Sequence, residues 1–118
     1  MNMHFACNMS ALDQRQRFRH NEITTLIFES VYEVAEVDDG YIFFILPTPD
    51  ILKKTVEFIS LERLCCPFFN FNLELKSDSQ TLWLHITGDE GIKPFILAEL
   101  GGHLRQQLLQ SLQLHRTR

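Results

Sequence analysis

Apolar and polar residues follow strand-like spacing in four segments of this 118-residue chain. The segments with this pattern are residues 23–37, which are rich in β-branched and aromatic side chains and alternate over 31–37, then 41–46, 69–76 and 81–86. Three of them alternate with period two, as half-buried strands do, whereas 41–46 is apolar throughout and predicts a central or doubly covered strand. Asp38-Asp39-Gly40 predicts a tight turn between the first two strands, because Gly40 adopts positive φ without strain. Residues 77–80 predict the turn between the last two.

Helical spacing occupies the remaining segments. The predicted helices are a short one from a Ser10 cap to about residue 20, then 48–66, 92–100 and a tail helix after residue 103. Thr48-Pro49-Asp50 is a strong helix start, with a capping hydroxyl, a proline in the first turn and a carboxylate near the positive end of the dipole. Pro67 disfavours helical geometry at Cys66, so the second helix should end on its cysteines.

The order strand, turn, strand, helix occurs twice, over 31–61 and 71–100. This repetition predicts an α+β fold with two layers, in which a four-stranded, mostly antiparallel sheet carries both helices of a ββαββα core. A short N-terminal helix and a C-terminal helical extension complete the prediction. We assign residues 1–102 to a single α+β domain and residues 103–118 to a helical, basic tail.

Composition narrows the class of protein. Hydrophobic residues make up 45% and charged residues 22%, which is typical of a globular protein with its own core. Eleven basic and fifteen acidic residues give a net charge of -4, which argues against nucleic acid as a partner. No apolar run reaches the roughly 20 residues of a membrane span, and the first nine residues lack a secretion pattern. Three cysteines, an odd number, favour reduced thiols in the cytoplasm.

The adjacent cysteines Cys65 and Cys66 carry the strongest chemical signal. Neighbouring cysteines rarely bond to each other, so the two thiols are better suited to a third partner. Thiolates select soft ions such as zinc, copper(I) or mercury(II), and Cys7 supplies a third sulfur if the N-terminal segment folds back. A histidine could complete a tetrahedral zinc site. The candidates for it are His4, His85 and His103.

A helical wheel sets a geometric condition on this site. Cys66 and Glu62 fall on the apolar arc of the helix, whereas Cys65 lies at its margin. Both thiols can therefore serve one ion only if the helix unwinds at Pro67. Glu62 and Arg63 are candidate outer groups around the ion, and their alternative role is a structural ion pair with each other.

Two other roles for the cysteines stay open from sequence. One thiol could be a small core residue while the other is incidental. The pair could also serve redox or nucleophilic catalysis. The negative end of the helix dipole lies at the C-terminus and disfavours a thiolate there. Arg63 could offset this effect locally. The Gly88–Gly91 loop, with its two carboxylates, lacks the ligand count of a calcium site.

Two surface features suggest further interactions. Trp83 and His85 share one strand face, where they either line a pocket or form a half-exposed pair. The Leu-rich tail, with Leu61 and Leu64 expected at the surface, suggests a homodimeric interaction module without catalysis.

Two segments together resemble a family of short uncharacterised bacterial proteins. The segments are Glu62-Arg63-x-Cys65-Cys66-Pro67-Phe68-x-x-Phe71 and Leu82-Trp83-Leu84-x-Ile86-Thr87-Gly88-x-Glu90-Gly91-x-Lys93-x-Phe95. The resemblance extends to an early cysteine, matched by Cys7, and covers roughly residues 5–101. Similar domains accompany heavy-metal-responsive regulators, which implies a thiol-based metal or metalloid role for Cys7, Cys65 and Cys66. No reaction follows from it.

Overall fold

The computed structural model describes residues 5–77 and 80–116, with side chains described as far as residue 112. The described chain forms helices α1 (Gln14–Glu29), α2 (Pro49–Cys65), α3 (Ile92–Leu100) and α4 (Gln106–Arg116), and strands β1 (Val31–Val37), β2 (Gly40–Ile45), β3 (Asn70–Leu75) and β4 (Leu82–Thr87). Short 3-10 turns lie at Met9–Ala11 and Gly101–His103. The first turn connects Val37 and Gly40 as predicted, but Gly40 does not have positive φ, so that part of the prediction was wrong; Gly40 instead lies against the backbone of β4. Residues 78 and 79 of the predicted second turn fall outside the described part.

The four strands form one antiparallel sheet in the order β1-β2-β4-β3. The central position of β2 agrees with its continuous apolar run. Phe43 of β2 is paired with Val34 on one side and with Leu84 on the other. The α+β class and the four-stranded antiparallel sheet are therefore confirmed.

One face of the sheet is buried beneath the helices, and the opposite face is half-exposed. On the central strands the buried side chains are Tyr41, Phe43, Ile45, Leu82, Leu84 and Ile86. Their neighbours of opposite parity, including Phe44 and Trp83, remain partly accessible. A single layer of helices thus covers the core, as the two-layer prediction requires.

Helix α1 is longer than its sequence pattern predicted. A capping box at Asp13 and Gln16 starts it in place of the predicted Ser10 cap, and it continues to Glu29 rather than ending near residue 20. The prediction was wrong because residues 23–28 are rich in β-branched and aromatic side chains, which favour strands locally. In the fold Ile23, Ile27 and Phe28 are fully buried on one helical face, so tertiary packing determines their conformation.

Helix α2 has the predicted start and end. The Thr48 hydroxyl accepts a hydrogen bond of 3.1 Å from the Ile51 backbone N–H, and Pro49 occupies the first turn. The helix packs against α1 and ends at Cys65. Its position against α1 determines what surrounds the thiols.

The tail forms helix α4, which contacts β1 and the turn that precedes it. Leu104 and Leu112 are buried and Leu108 is half-buried, so the Leu-rich face packs on the rest of the chain. Leu61 is also buried, contrary to its expected exposure, whereas Leu64 is 52% exposed. Within the described residues, the helices are too short or too polar to cross a bilayer.

Candidate functional site

The N-terminal segment folds back onto the end of α2. The backbone N–H of Asn8 donates a 2.7 Å hydrogen bond to the Cys65 carbonyl, and the Phe5 ring packs 5.4 Å from Phe68 and 6.1 Å from Phe95 between centroids. Aromatic packing and one backbone hydrogen bond therefore hold this segment in place. The consequence is that Cys7 reaches the predicted cysteine pair.

Cys7 and Cys66 form a disulfide across this junction, with their Cα atoms 4.6 Å apart. The expectation of three reduced thiols is therefore not met in this state of the protein. Cys65 remains a free thiol and is fully buried. Counting cysteines could not show this pairing, because it joins residues separated by 59 positions.

Both neighbouring cysteines point into the same site. Cys66 has φ -131° and ψ 70°, outside the helical region, immediately before Pro67. The Sγ atoms of Cys65 and Cys66 consequently lie 3.7 Å apart, and both residues are at most 1% exposed. The unwinding that the wheel analysis required is thus present, and Cys65 lies in the core rather than at its margin.

Glu62 is the buried carboxylate of the site, and its partner is a histidine of α1. Glu62 is 1% exposed, and its Oε1 lies 2.5 Å from Nε2 of His20. The His20 ring stacks on Phe58 at 6.0 Å. Arg63, the partner suggested by sequence, is exposed and lines a surface groove with Ile59 and Pro67.

The second oxygen of Glu62 has no hydrogen-bond partner among the described residues. Buried polar atoms are nearly always satisfied, and leaving one unpaired costs on the order of 1–3 kcal/mol. The unpaired Oε2 atom therefore marks a position where a ligand can be accepted.

The surroundings of Cys65 suppress its ionisation. Its Sγ lies 3.8 Å from Oε1 of Glu62. Burial and the negative charge of Glu62 raise the pKa of Cys65 to about 12. In this state Cys65 is a protonated thiol at neutral pH, and it becomes an anion only if a cation or a proton acceptor compensates for the change.

Two further titratable groups, Glu99 and His103, border the site. Burial raises the pKa of Glu99, with a further contribution from the charge of Glu62. Burial also lowers the pKa of His103, whose Nδ1 lies 3.3 Å from the Thr25 hydroxyl oxygen. Glu99 and His103 are half-buried and Glu62 and His20 are buried, so this region is poorly solvated.

The donor atoms form two overlapping groups. In each group the sulfur, oxygen and nitrogen atoms lie within 4.8 Å of one another. One group contains Cys7, Glu62 and Cys66, and the other contains His20, Glu62 and Cys65. Glu62 belongs to both, so the site is a continuous cluster of three sulfurs, one carboxylate and one imidazole.

The remaining predicted site residues lie elsewhere. Trp83 and His85 are on the half-exposed sheet face, where His85 pairs with Glu74 at 2.7 Å and Trp83 packs on Phe44. The sheet separates this pair from the cysteines, so it is not part of the cluster. His4 lies outside the described residues.

Sequence reasoning missed His20 and Glu99. The available signal for His20 was its spacing of three and seven residues from Ile23 and Ile27, both of which are buried. A histidine on the apolar face of a helix needs a partner in the core. The early end predicted for α1 concealed that pattern.

Comparison of the chain with models of known protein families, with curated proteins and with solved structures found no match. The resemblance to short bacterial proteins and the link to heavy-metal-responsive regulators therefore stay predictions. The case for a function is based on the geometry of the cluster.

Proposed function

We propose that the protein, with its Cys7–Cys66 disulfide reduced, captures one soft metal or metalloid ion through Cys7, Cys65 and Cys66. One observation carries the proposal: the Cys65 and Cys66 sulfurs are 3.7 Å apart. Two thiolates on one tetrahedral ion with bonds of about 2.3 Å are separated by about 3.8 Å. In the disulfide form, this pair of sulfurs thus already has a spacing close to what the ion needs, and reduction has only to free Cys66 and Cys7.

Cys7 supplies the third sulfur. Because its Cα atom lies 4.6 Å from that of Cys66, the two side chains can share an ion once their disulfide is reduced. Soft thiolate ligands favour copper(I), zinc or mercury(II) over hard cations. A reducing compartment such as the cytoplasm supplies the thiol form.

Glu62 and His20 support this role as neighbouring groups. The bound cation would compensate for the ionisation of Cys65, which is otherwise opposed by burial and by Glu62. Arg63 is less suited to this role than predicted, because it is exposed at the surface.

The test is competition for copper(I) against a chromogenic chelator, under anaerobic and reducing conditions. The wild-type protein should withdraw one equivalent, and Cys7→Ser, Cys65→Ser and Cys66→Ser should each weaken binding by at least about tenfold. His85→Ala is the matched control, because it removes an imidazole–carboxylate pair that lies outside the cysteine donor groups of the described residues. Unchanged competition by the three serine variants would refute the proposal.

A thiol redox function is the second candidate, and the Cys7–Cys66 disulfide favours it. Cys7 is the more accessible sulfur, since Cys66 is 1% exposed and Cys7 is half-buried. An external thiol would attack Cys7 and break the disulfide, and Cys66 would take up a proton. A second external thiol would release reduced Cys7 and leave as part of a small-molecule disulfide.

Redox equilibration with glutathione distinguishes this candidate. A redox-active pair should exchange within minutes at neutral pH and should give a defined midpoint potential. A disulfide that exchanges only after urea is added would exclude this function and indicate a structural bond. Cys65→Ser is the control that retains the pair.

A further inference from the structure

The group formed by His20, Glu62 and Cys65 differs in chemistry from the three sulfurs. It offers one nitrogen, one oxygen and one sulfur, contributed by α1 and α2. Such mixed donors suit borderline divalent cations, above all zinc and its spectroscopic substitute cobalt(II). None of the three residues takes part in the disulfide.

We infer that the disulfide form of the protein binds a borderline divalent cation through His20 Nε2, the Glu62 carboxylate and Cys65 Sγ. This site shares Cys65 with the proposed soft-ion function but needs neither Cys7 nor Cys66 as a ligand. It therefore remains available in the redox state in which the three-sulfur site is closed.

The sulfur–oxygen separation is close to that of a zinc centre, whereas the nitrogen–oxygen separation is shorter. Bonds of about 2.3 Å to sulfur and about 2.0 Å to oxygen place these donors about 3.5 Å apart, and the observed Sγ to Oε1 distance is 3.8 Å. A zinc-bound nitrogen and oxygen are about 3.3 Å apart, so the 2.5 Å contact of His20 and Glu62 would open by about 0.8 Å.

Burial and charge also favour a cation at this position. Glu62 is 1% exposed and carries one oxygen without a partner among the described residues. One carboxylate, one thiolate and a neutral imidazole together offset the charge of a divalent ion. A neutral centre is what a poorly solvated interior accepts most readily.

Packing orients the ligands in advance. The His20 ring is stacked on Phe58, and its backbone carbonyl accepts a 2.5 Å hydrogen bond from the Thr24 hydroxyl. Glu62 and Cys65 are three residues apart in α2, which places them on the same helical face. Three protein ligands leave a fourth position for a small ligand such as water.

The experiment is a titration of the purified disulfide form with cobalt(II) alone, without reductant. Denatured protein should first show one titratable thiol, which verifies that the disulfide is intact. We expect one equivalent to bind with a sulfur-to-cobalt charge-transfer band and with visible bands typical of tetrahedral cobalt. Zinc should displace it.

Three variants identify the ligands. His20→Gln, Glu62→Gln and Cys65→Ser should each reduce affinity by at least about a hundredfold, since each removes a direct ligand. Cys65→Ser should also abolish the charge-transfer band. Because serine is nearly isosteric with cysteine, this variant still tests the inference if the other two fold poorly. His85→Gln, at the partly exposed pair with Glu74, is the matched control and should bind as the wild type does.

Absence of the charge-transfer band in the wild-type disulfide form would overturn the inference. So would a band that persists in both His20→Gln and Cys65→Ser. These outcomes are independent of the copper(I) test, which uses the reduced protein and depends on Cys7. Failure of one site therefore does not remove the other.

Discussion

Removing one member of the buried His20–Glu62 pair should lower the free energy of unfolding far more than removing both. Their side chains are 11% and 1% exposed, so the pair is largely shielded from bulk water. His20→Leu leaves the Glu62 carboxylate buried without its nitrogen partner. Breaking a buried pair in this way costs about 3–5 kcal/mol.

The His85–Glu74 pair of the same chain is the reference against which the loss of stability is compared. His85 and Glu74 have side chains 20% and 35% exposed on the open sheet face. A solvent-accessible pair of this kind contributes up to about 1 kcal/mol, so His85→Leu should lower the free energy of unfolding by no more than about that amount. The two substitutions are chemically identical and differ only in the surroundings of the pair.

The assay is equilibrium urea unfolding with the disulfide intact. With a slope of about 1–3 kcal/mol/M, His20→Leu should lower the midpoint by at least about 1 M. The double variant His20→Leu with Glu62→Leu should recover most of that loss, because it removes the unpaired charge. If His20→Leu costs no more than His85→Leu, the buried pair does not have the role assigned to it.

Three further predictions concern the thiols and the sheet. Because the pKa of Cys65 rises to about 12 on folding, the folded state binds the proton more tightly, so this contribution to stability is complete below about pH 9 and is lost as the pH rises towards 12. In urea unfolding from pH 8 to 11, the free energy of unfolding should fall more steeply with pH for the wild type than for Cys65→Ser. Equal slopes of stability against pH would contradict this prediction. Reduction of the Cys7–Cys66 disulfide, which spans 59 residues, should lower the free energy of unfolding by about 4 kcal/mol, whereas Cys7→Ser should not respond to reductant. Gly40→Ala places a methyl group against the backbone of β4 and should cost about 1–3 kcal/mol in thermal unfolding, whereas Gly102→Ala meets nothing within 4 Å and should cost far less.

The fold was largely predictable because its signals are local. Alternation placed the strands within about one residue, and Thr48 with Pro49 located the start of α2. The second half of α1 was missed for the opposite reason. Ile23 and Ile27 favour a strand by composition, and only their burial against the rest of the core keeps them helical.

The site was predictable only in part. Cys65, Cys66 and Glu62 were evident because they lie within five residues of Pro67, the proline that follows the end of α2. Their partners depend on long-range contacts: His20 is 42 positions from Glu62, and Cys7 is 59 positions from Cys66. Local spacing contains no information on which distant residue meets α2, so Arg63 was chosen where His20 is the partner.

X-ray absorption spectroscopy of the reduced, copper(I)-loaded protein would show directly which atoms bind the ion. We expect a first shell of three sulfur atoms, which should fall to two in Cys7→Ser while the fold is retained. A shell of nitrogen and oxygen atoms alone, or a sulfur count unchanged by Cys7→Ser, would contradict capture of the ion by Cys7, Cys65 and Cys66.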